Sequence, residues 1–131
     1  MRPQTVLRCA VPNDYSDFQA TLLSAGLTTE TWFCPPQHLS YFNVDNIDDF
    51  FAECGLAVFS KQVGFPIEVF LCNQNSNYVQ DPQKGKEAHK ARMMCVDYFI
   101  RRDPSAYQQH CEAAAAIDFG RDLIVYATTS T

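Results

Sequence analysis

Two Asp-Pro pairs, Asp81-Pro82 and Asp103-Pro104, constrain the fold of this chain more than any other feature of its sequence. An Asp side chain accepts hydrogen bonds from the free N–H groups at the start of a helix, and Pro suits the first helical position because it lacks an N–H there. The first pair therefore predicts a helix that extends to about Arg102. The second pair predicts another helix through Ala116, so most of the last third of the chain is helical.

The rest of the chain alternates between strand-like and helix-like patterns. A strand is predicted at residues 5–11, a helix that begins at Asn13 or Asp14 and ends at Gly26, and a second helix that begins at Asp45 or Asn46 and ends at Gly55. Residues 31–34 read as a short extended piece, and residues 38–44 as a strand or an irregular loop. Residues 56–63 and 67–72 form a predicted hairpin, and residues 123–128 a closing strand. The predicted fold class is α+β: a single mixed or antiparallel sheet of about five strands with helices packed against it.

The length and composition are those of a single folded domain, residues 1–131. Hydrophobic residues make up 47% of the chain and charged residues 19%, which is ordinary for a globular protein. No apolar run approaches the roughly 20 residues that a membrane-spanning helix needs. Arg8 interrupts the first residues before a signal-peptide core could form. We therefore expect no membrane association and an intracellular site of action.

Six cysteines stand singly along the chain, each in an apolar stretch or on an apolar helix face. A domain of this size does not need disulfides, and a free cysteine packs as a small hydrophobe, so we expect reduced, structural cysteines. A zinc site would need Cys34 and His38 to converge either with His110 and Cys111 or with His89 and Cys95. No Cys-x-x-Cys pair is present, and adjacent residues of a helix point to different sides. No metal site is predicted.

The net charge of −5 is unevenly distributed. Residues 1–80 carry three basic and eight acidic groups, whereas residues 81–102 carry six basic and three acidic groups. The basic segment has two interpretations, a solvated helix face or a site for an anion or an acidic partner. An acidic protein with one basic helix is a poor general binder of nucleic acid.

A second candidate surface combines aromatic and acidic residues. Aromatic side chains are dense between residues 32 and 51, and four carboxylates occur within the second predicted helix and its start. This helix is either an ordinary amphipathic helix, with its phenylalanines inward, or part of a partner-binding surface. The predicted partner-binding residues are Trp32, Phe33, Tyr41, Phe42, Asp45, Asp48, Asp49 and Glu53.

Three segments, taken in order, resemble GNAT-type N-acetyltransferases. Residues 7–15, Leu-Arg-Cys-Ala-Val-Pro-Asn-Asp-Tyr, are similar to the strand and turn that open that family. Residues 54–59 resemble its central hairpin, and residues 78–86 its entry into the loop that holds the pyrophosphate of acyl-CoA. The resemblance implies a GNAT-like plan and a site for acetyl-CoA at Lys84, Gly85, Lys86, Glu87, Ala88 and His89. If the chain is an acetyltransferase, Glu68 would act as the base, and Tyr107 or Tyr126 as the acid.

The pyrophosphate loop departs from the family pattern. The family loop has Gln or Arg at its first position, then Gly, then Gly or Ala, and the matching positions here are Lys84, Glu87 and His89. Glu87 places a carboxylate where a pyrophosphate would bind, and His89 adds a side chain where the backbone must approach the ligand closely. We therefore predict a non-catalytic GNAT-like domain with no cofactor. A CoA-dependent acetyltransferase remains the alternative.

Compact domains that keep the fold of an enzyme but have lost its cofactor loop resemble components of phages and other mobile elements. The resemblance implies a domain that acts through protein–protein binding, in an oligomeric or mixed assembly such as a virion. Such a protein would be cytoplasmic, or built into a virion after intracellular synthesis. A further alternative is an acidic inhibitor or immunity protein that blocks a basic partner.

Overall fold

The structure, a computed structural model, describes residues 5–129. These residues form an α+β fold with a three-stranded antiparallel sheet. The strands are β1 (Leu7–Pro12), β2 (Leu56–Val63) and β3 (Asp122–Thr129). The last strand in the sequence is the central one, because the order across the sheet is β1-β3-β2. Both neighbours therefore pair with β3 over a long sequence separation.

Four α-helices accompany the sheet: α1 (Asp17–Ser24), α2 (Ile47–Glu53), α3 (Gly85–Arg102) and α4 (Pro104–Ala116). Two 3-10 helices, Ile67–Cys72 and Pro82–Lys84, lie between β2 and α3. The hydrophobic core forms where α2 and α4 pack on one face of the sheet. Its buried members are Val44, Ile47, Phe51, Val63, Ala114, Ala115, Leu123, Val125 and Ala127.

The pair Asp103-Pro104 caps α4 as predicted, whereas the pair Asp81-Pro82 caps a short 3-10 helix that precedes α3. The Asp103 carboxylate accepts a hydrogen bond from the backbone N–H of Ala106 at 3.0 Å, and α4 follows. The Asp81 carboxylate accepts one from Gln83 at 3.1 Å. There the chain first makes the Pro82–Lys84 3-10 helix and then continues as α3 to Arg102. The closing strand and the helix that stops at Gly55 are also present.

The predicted number of strands, about five, is wrong for the described residues. The Ile67–Cys72 segment was predicted as the second strand of a hairpin, but it is a 3-10 helix, and β2 pairs with β3 instead. A 3-10 helix has three residues per turn, so Glu68 and Leu71 lie on the same side, and both are buried. A short apolar run fits a strand or a buried helix equally well, and tertiary packing decided between them. Residues 31–34, predicted to be extended, begin with a turn, and residues 38–44 hold no strand.

Two details of the predicted helices also differ from the structure. The N-cap of α1 is Ser16, which exchanges hydrogen bonds with Gln19 in a capping box; Asn13 and Asp14 are buried instead. The spacing of apolar residues in α3, with Met94 and Tyr98 four residues apart, predicts that one side of this helix is buried. Only Ala88 of this helix is buried, and those two side chains are 70% and 63% exposed.

Candidate functional site

A buried polar network ties the start of α1 to the segment that leads into β3. The amide of Asn13 donates to the Asp118 carboxylate at 2.8 Å and to the carbonyl of Gly120 at 2.9 Å. The other oxygen of Asp118 accepts from the backbone N–H of Asp17 at 2.7 Å. Arg121 forms an ion pair with the buried Asp14, with 2.5 Å between Nη1 and Oδ1. These bonds thereby hold residues 13–17 next to residues 118–121, which are more than a hundred positions away in the sequence.

Beside this network lies a partly enclosed pocket with ionisable side chains in its lining, which we name the Glu68 pocket. Its volume is about 190 Å³. It is formed by α1, the loop that follows, the Ile67–Cys72 3-10 helix, Tyr78 and the start of β3. The lining residues are Gln19, Leu22, Thr28, Thr31, Trp32, Glu68, Leu71, Tyr78 and Arg121. A partly enclosed pocket with convergent polar groups and aromatic walls is the usual form of a small-ligand site.

Glu68 is the buried carboxylate of this pocket. One of its oxygens accepts from the Gln19 amide at 3.3 Å and lies 3.6 Å from Nε of Arg121. Burial raises the pKa of Glu68, although its own backbone N–H, Arg121 and Gln19 oppose the shift. Burial, with the Glu68 charge adding to it, also raises the pKa of Tyr78 to about 12, so this phenol stays protonated at neutral pH.

Of the three predicted catalytic residues, only Glu68 lines this pocket, and it is buried on a 3-10 helix rather than placed on a strand. Tyr107 belongs to α4 and stacks on Phe99 of α3, with the ring centroids 5.4 Å apart. Tyr126 lies in β3, with its ring 6.4 Å from that of Phe59. Neither tyrosine that was predicted as the acid lines the pocket that contains Glu68. Tyr78, which the sequence did not single out for chemistry, is the tyrosine that lines the pocket with Glu68.

The residues predicted to hold acetyl-CoA do not form a separate loop. Lys84 ends the Pro82–Lys84 3-10 helix and donates to the carbonyl of Gln74 at 2.8 Å, and Gly85 to His89 form the first turn of α3. Gly85 has a helical φ of −59°, and an added Cβ would have its nearest neighbour 3.8 Å away. Nothing in this backbone therefore requires a glycine. Glu87 pairs with Lys90 at 2.8 Å, Ala88 is buried, and Lys86 and His89 are exposed.

The predicted partner-binding residues fall into an exposed set and a supporting set. Phe33 is 55% exposed, and the four carboxylates Asp45, Asp48, Asp49 and Glu53 are also exposed. Trp32 is buried, and Tyr41 and Phe42 are half-buried, so these three support the surface rather than form it. Leu39, at 83% exposure, and Phe50, at 46%, belong to this surface but were not predicted as partner-binding residues.

Aromatic contacts hold the loop that carries Phe33 and Leu39. Tyr41 stacks against Phe33 at 6.0 Å and meets the ring of Tyr15 edge-on at 5.4 Å, and Tyr15 in turn meets Trp32 at 5.8 Å. The Tyr41 hydroxyl also accepts from the backbone N–H of Cys34 at 3.1 Å and donates to the carbonyl of His38 at 3.0 Å. The contacts of Tyr41 and Tyr15 thus fix the inner side of the loop, while its outer side chains face solvent.

The six cysteines form no disulfide in the structure. Within residues 5–129, no three His, Cys, Asp or Glu side chains are grouped so that they could hold a metal ion. None of the helices in that same range is both long enough and apolar enough to cross a bilayer.

The chain was compared with protein-family models, with curated proteins and with solved structures, and it matches none of them. Its function therefore has to be argued from its own residues.

Proposed function

We propose that this protein is a protein-binding domain, and that its binding surface is built from the loop of residues 25–46 and from α2. We name this surface the loop–α2 surface; its outer residues are Phe33, Leu39, Phe50, Asp45, Asp49 and Glu53. The observation that carries the proposal is the exposure of Phe33 and Leu39, at 55% and 83%, on a loop that is otherwise held firmly by aromatic contacts.

The loop itself supports a binding role. Residues 25–46 contain neither helix nor strand, and loops longer than roughly 12–15 residues without such structure are uncommon unless they serve a function or are disordered. This loop is ordered by the Tyr41 hydrogen bonds to Cys34 and His38. A rigid loop presents its apolar side chains to a partner at a low entropic cost.

The charges on the surface indicate what kind of partner it fits. Asp45, Asp49 and Glu53 are exposed and form no salt bridge with the described residues, while Asp48 pairs with Lys61 at 2.7 Å. Exposed apolar side chains beside carboxylates without ion pairs fit a surface with an apolar recess and basic groups around it. The partner is therefore a basic protein, and binding weakens as salt rises.

Two settings are consistent with this proposal. In the first, the domain is a structural component of an assembly, such as a virion or a mobile-element complex. In the second, it is an inhibitor or immunity protein whose acidic α2 covers a basic site. Both use the loop–α2 surface, and neither needs a cofactor or the tyrosines that the acetyltransferase alternative requires.

The proposal is tested by capture of a partner with matched variants. The tagged chain, the double variant Phe33→Ser/Leu39→Ser, and the control Met94→Gln are each exposed to extract from the cells that make the protein. Met94 is 70% exposed and belongs to α3, which contributes no residue to the loop–α2 surface. We expect a basic partner to be retained by the wild type and by Met94→Gln. The double variant, with both apolar anchors removed, should lose it by at least about tenfold.

A partner that is captured equally by all three proteins would overturn the proposal. So would capture that does not weaken between low salt and roughly 0.5 M salt, because the acidic groups would then have no part in binding. Thermal unfolding of each variant shows whether it is folded. Leu39→Ser should cost little stability because Leu39 is 83% exposed, whereas Phe33→Ser also removes the stacking contact with Tyr41.

A further inference from the structure

We propose that the Glu68 pocket binds a small organic ammonium ion, whose charge pairs with the Glu68 carboxylate and whose carbon body packs on Trp32 and Leu71. This site is separate from the loop–α2 surface, and the inference does not depend on the proposed function.

The first argument is the balance of charge around the pocket. Arg121 lies near Glu68 but is already paired with the buried Asp14 at 2.5 Å, and Arg92 faces Asp122 at 3.7 Å. Glu68 and Arg121 are the charged side chains among those that line the pocket, and the 3.6 Å contact of Arg121 with Glu68 is longer than its contact with Asp14. A buried carboxylate that is incompletely paired favours a cation beside it over an anion.

The second argument is the nature of the walls. Trp32 and Tyr78 line the pocket, and the electron-rich face of an aromatic ring attracts an ammonium group. Tyr78 keeps its proton at neutral pH, so it adds no second negative charge. Leu22 and Leu71 supply apolar contact for carbon atoms.

The third argument is size. The pocket volume of about 190 Å³ is somewhat larger than a cavity of roughly 150 Å³, which holds one benzene molecule. A ligand of about six to eight non-hydrogen atoms therefore fits, which includes short alkylamines and the side chain of lysine. The pocket is partly open to solvent, so such a group can enter from outside.

The chain contains a single tryptophan, and because it lines the pocket its fluorescence reports on binding there. We would titrate the protein with n-butylammonium, with 1-butanol and with butyrate at constant ionic strength, and subtract the effect of each on N-acetyltryptophanamide. We expect a saturable change and a rise in the unfolding midpoint with n-butylammonium alone. An equal response to butyrate or 1-butanol, or no saturable response to n-butylammonium, would overturn the proposal.

Two substitutions locate the binding. Glu68→Gln keeps the shape of the side chain but removes its charge, and it should weaken n-butylammonium binding by about tenfold to a hundredfold. Asp97→Asn, which removes an exposed carboxylate on α3, should leave it unchanged. Unchanged binding in a folded Glu68→Gln variant contradicts the proposal. If that variant does not fold, the selectivity of the wild type among the three probes still decides.

The ammonium group has two possible sources, a free amine or a lysine of another protein. Titration with N-acetyl-lysine amide separates them. Affinity at least equal to that for n-butylammonium identifies a lysine side chain as the ligand. An affinity about tenfold lower, with n-butylammonium still selective, identifies a free amine, because the peptide groups then hinder entry.

Discussion

Strand β3 and helix α3 are held in the structure in opposite ways. In β3, Leu123, Val125 and Ala127 have no exposed surface, and the strand is paired on both sides. In α3, which has 18 residues, only Ala88 is buried. The helix also has ion pairs between neighbouring residues of its own sequence, Arg101 with Asp97 at 2.9 Å and Lys90 with Glu87 at 2.8 Å. Strand β3 is therefore stabilised mainly by contacts with distant parts of the chain, whereas α3 depends more on interactions between residues close in sequence.

The difference shows which exposed apolar residues are free for other uses. Met93, Met94, Tyr98 and Ile100 of α3 are all exposed, so the core does not need them. Around β3, by contrast, the apolar side chains are buried, and they contact residues from several segments of the chain. Substitutions near β3 should therefore destabilise the fold, whereas those on the outer side of α3 should not.

The largest effect is expected where β3 begins. Arg121→Met leaves Asp14, whose side chain is 3% exposed, without its cation, and breaking such a pair costs about 3 kcal/mol or more. Urea unfolding measures the loss. In the double variant Asp14→Asn/Arg121→Met the charge of Asp14 is removed as well, and only Glu68 is left without its cation, so this variant should regain at least about 1 kcal/mol. A double variant less stable than Arg121→Met would show that the charge was not the cause.

A smaller effect is expected from one added methyl group. A Cβ at Gly120 would lie 2.5 Å from the carbonyl oxygen of Gly64 and from the Val63 side chain, so Gly120→Ala should cost about 1–3 kcal/mol. Gly85→Ala in α3 is the matched control. Its Cβ would have room and its φ is already helical, so this variant should be neutral or stabilised by up to about 1 kcal/mol. Equal losses of unfolding free energy in the two variants would contradict the contrast between the regions.

The stability contributed by Glu68 should depend on pH. Burial raises its pKa in the folded state, so the folded protein holds this proton more tightly than the unfolded chain does. That contribution is fully present below the unfolded pKa, about 4.3, and is lost as pH rises through the folded pKa. Compared with Glu68→Gln, which does not titrate, the wild type should lose unfolding free energy from about pH 4 upward. Parallel curves of stability against pH for the two proteins would refute this expectation.

The smallest effect is expected on the outer side of α3. Met94→Gln replaces a side chain that is 70% exposed by one of similar length and helix propensity, so the unfolding free energy should change by no more than about 0.5 kcal/mol. Thermal unfolding at several protein concentrations gives the measurement. A loss of unfolding free energy of more than about 1 kcal/mol would mean that α3 packs against a second copy of the chain in solution.

Much of the fold could be predicted where the signal is local. The cap at Asp103, the stop at Gly55 and the bounds of β2 and α4 each depend on a few adjacent residues, and the structure confirms them. The Ile67–Cys72 segment could not be assigned this way. Whether an apolar run becomes a strand depends on whether a strand edge is available to pair with it, and here β3 pairs with β2.

The two candidate sites also differ in how far the local sequence predicts them. The acids and aromatics of the loop–α2 surface are neighbours in the sequence, so their clustering was visible there, although Leu39 and Phe50 were missed. The Glu68 pocket joins Gln19, Glu68 and Arg121, which are far apart along the chain, and no pattern of spacing marks them. Of these three, only Glu68 was selected from the sequence, and the tyrosines predicted to act with it, Tyr107 and Tyr126, do not line the pocket.

The sequence by itself determined the α+β class and most of the element boundaries, because caps, turns and periodicity act within one or two turns of the chain. The tertiary structure alone decided that β3 is the central strand and that α3 remains mostly exposed. It alone placed Arg121 between Asp14 and Glu68. These outcomes depend on which distant surfaces pack together with the lowest free energy. That free energy is a property of the whole chain, so no single segment determines it.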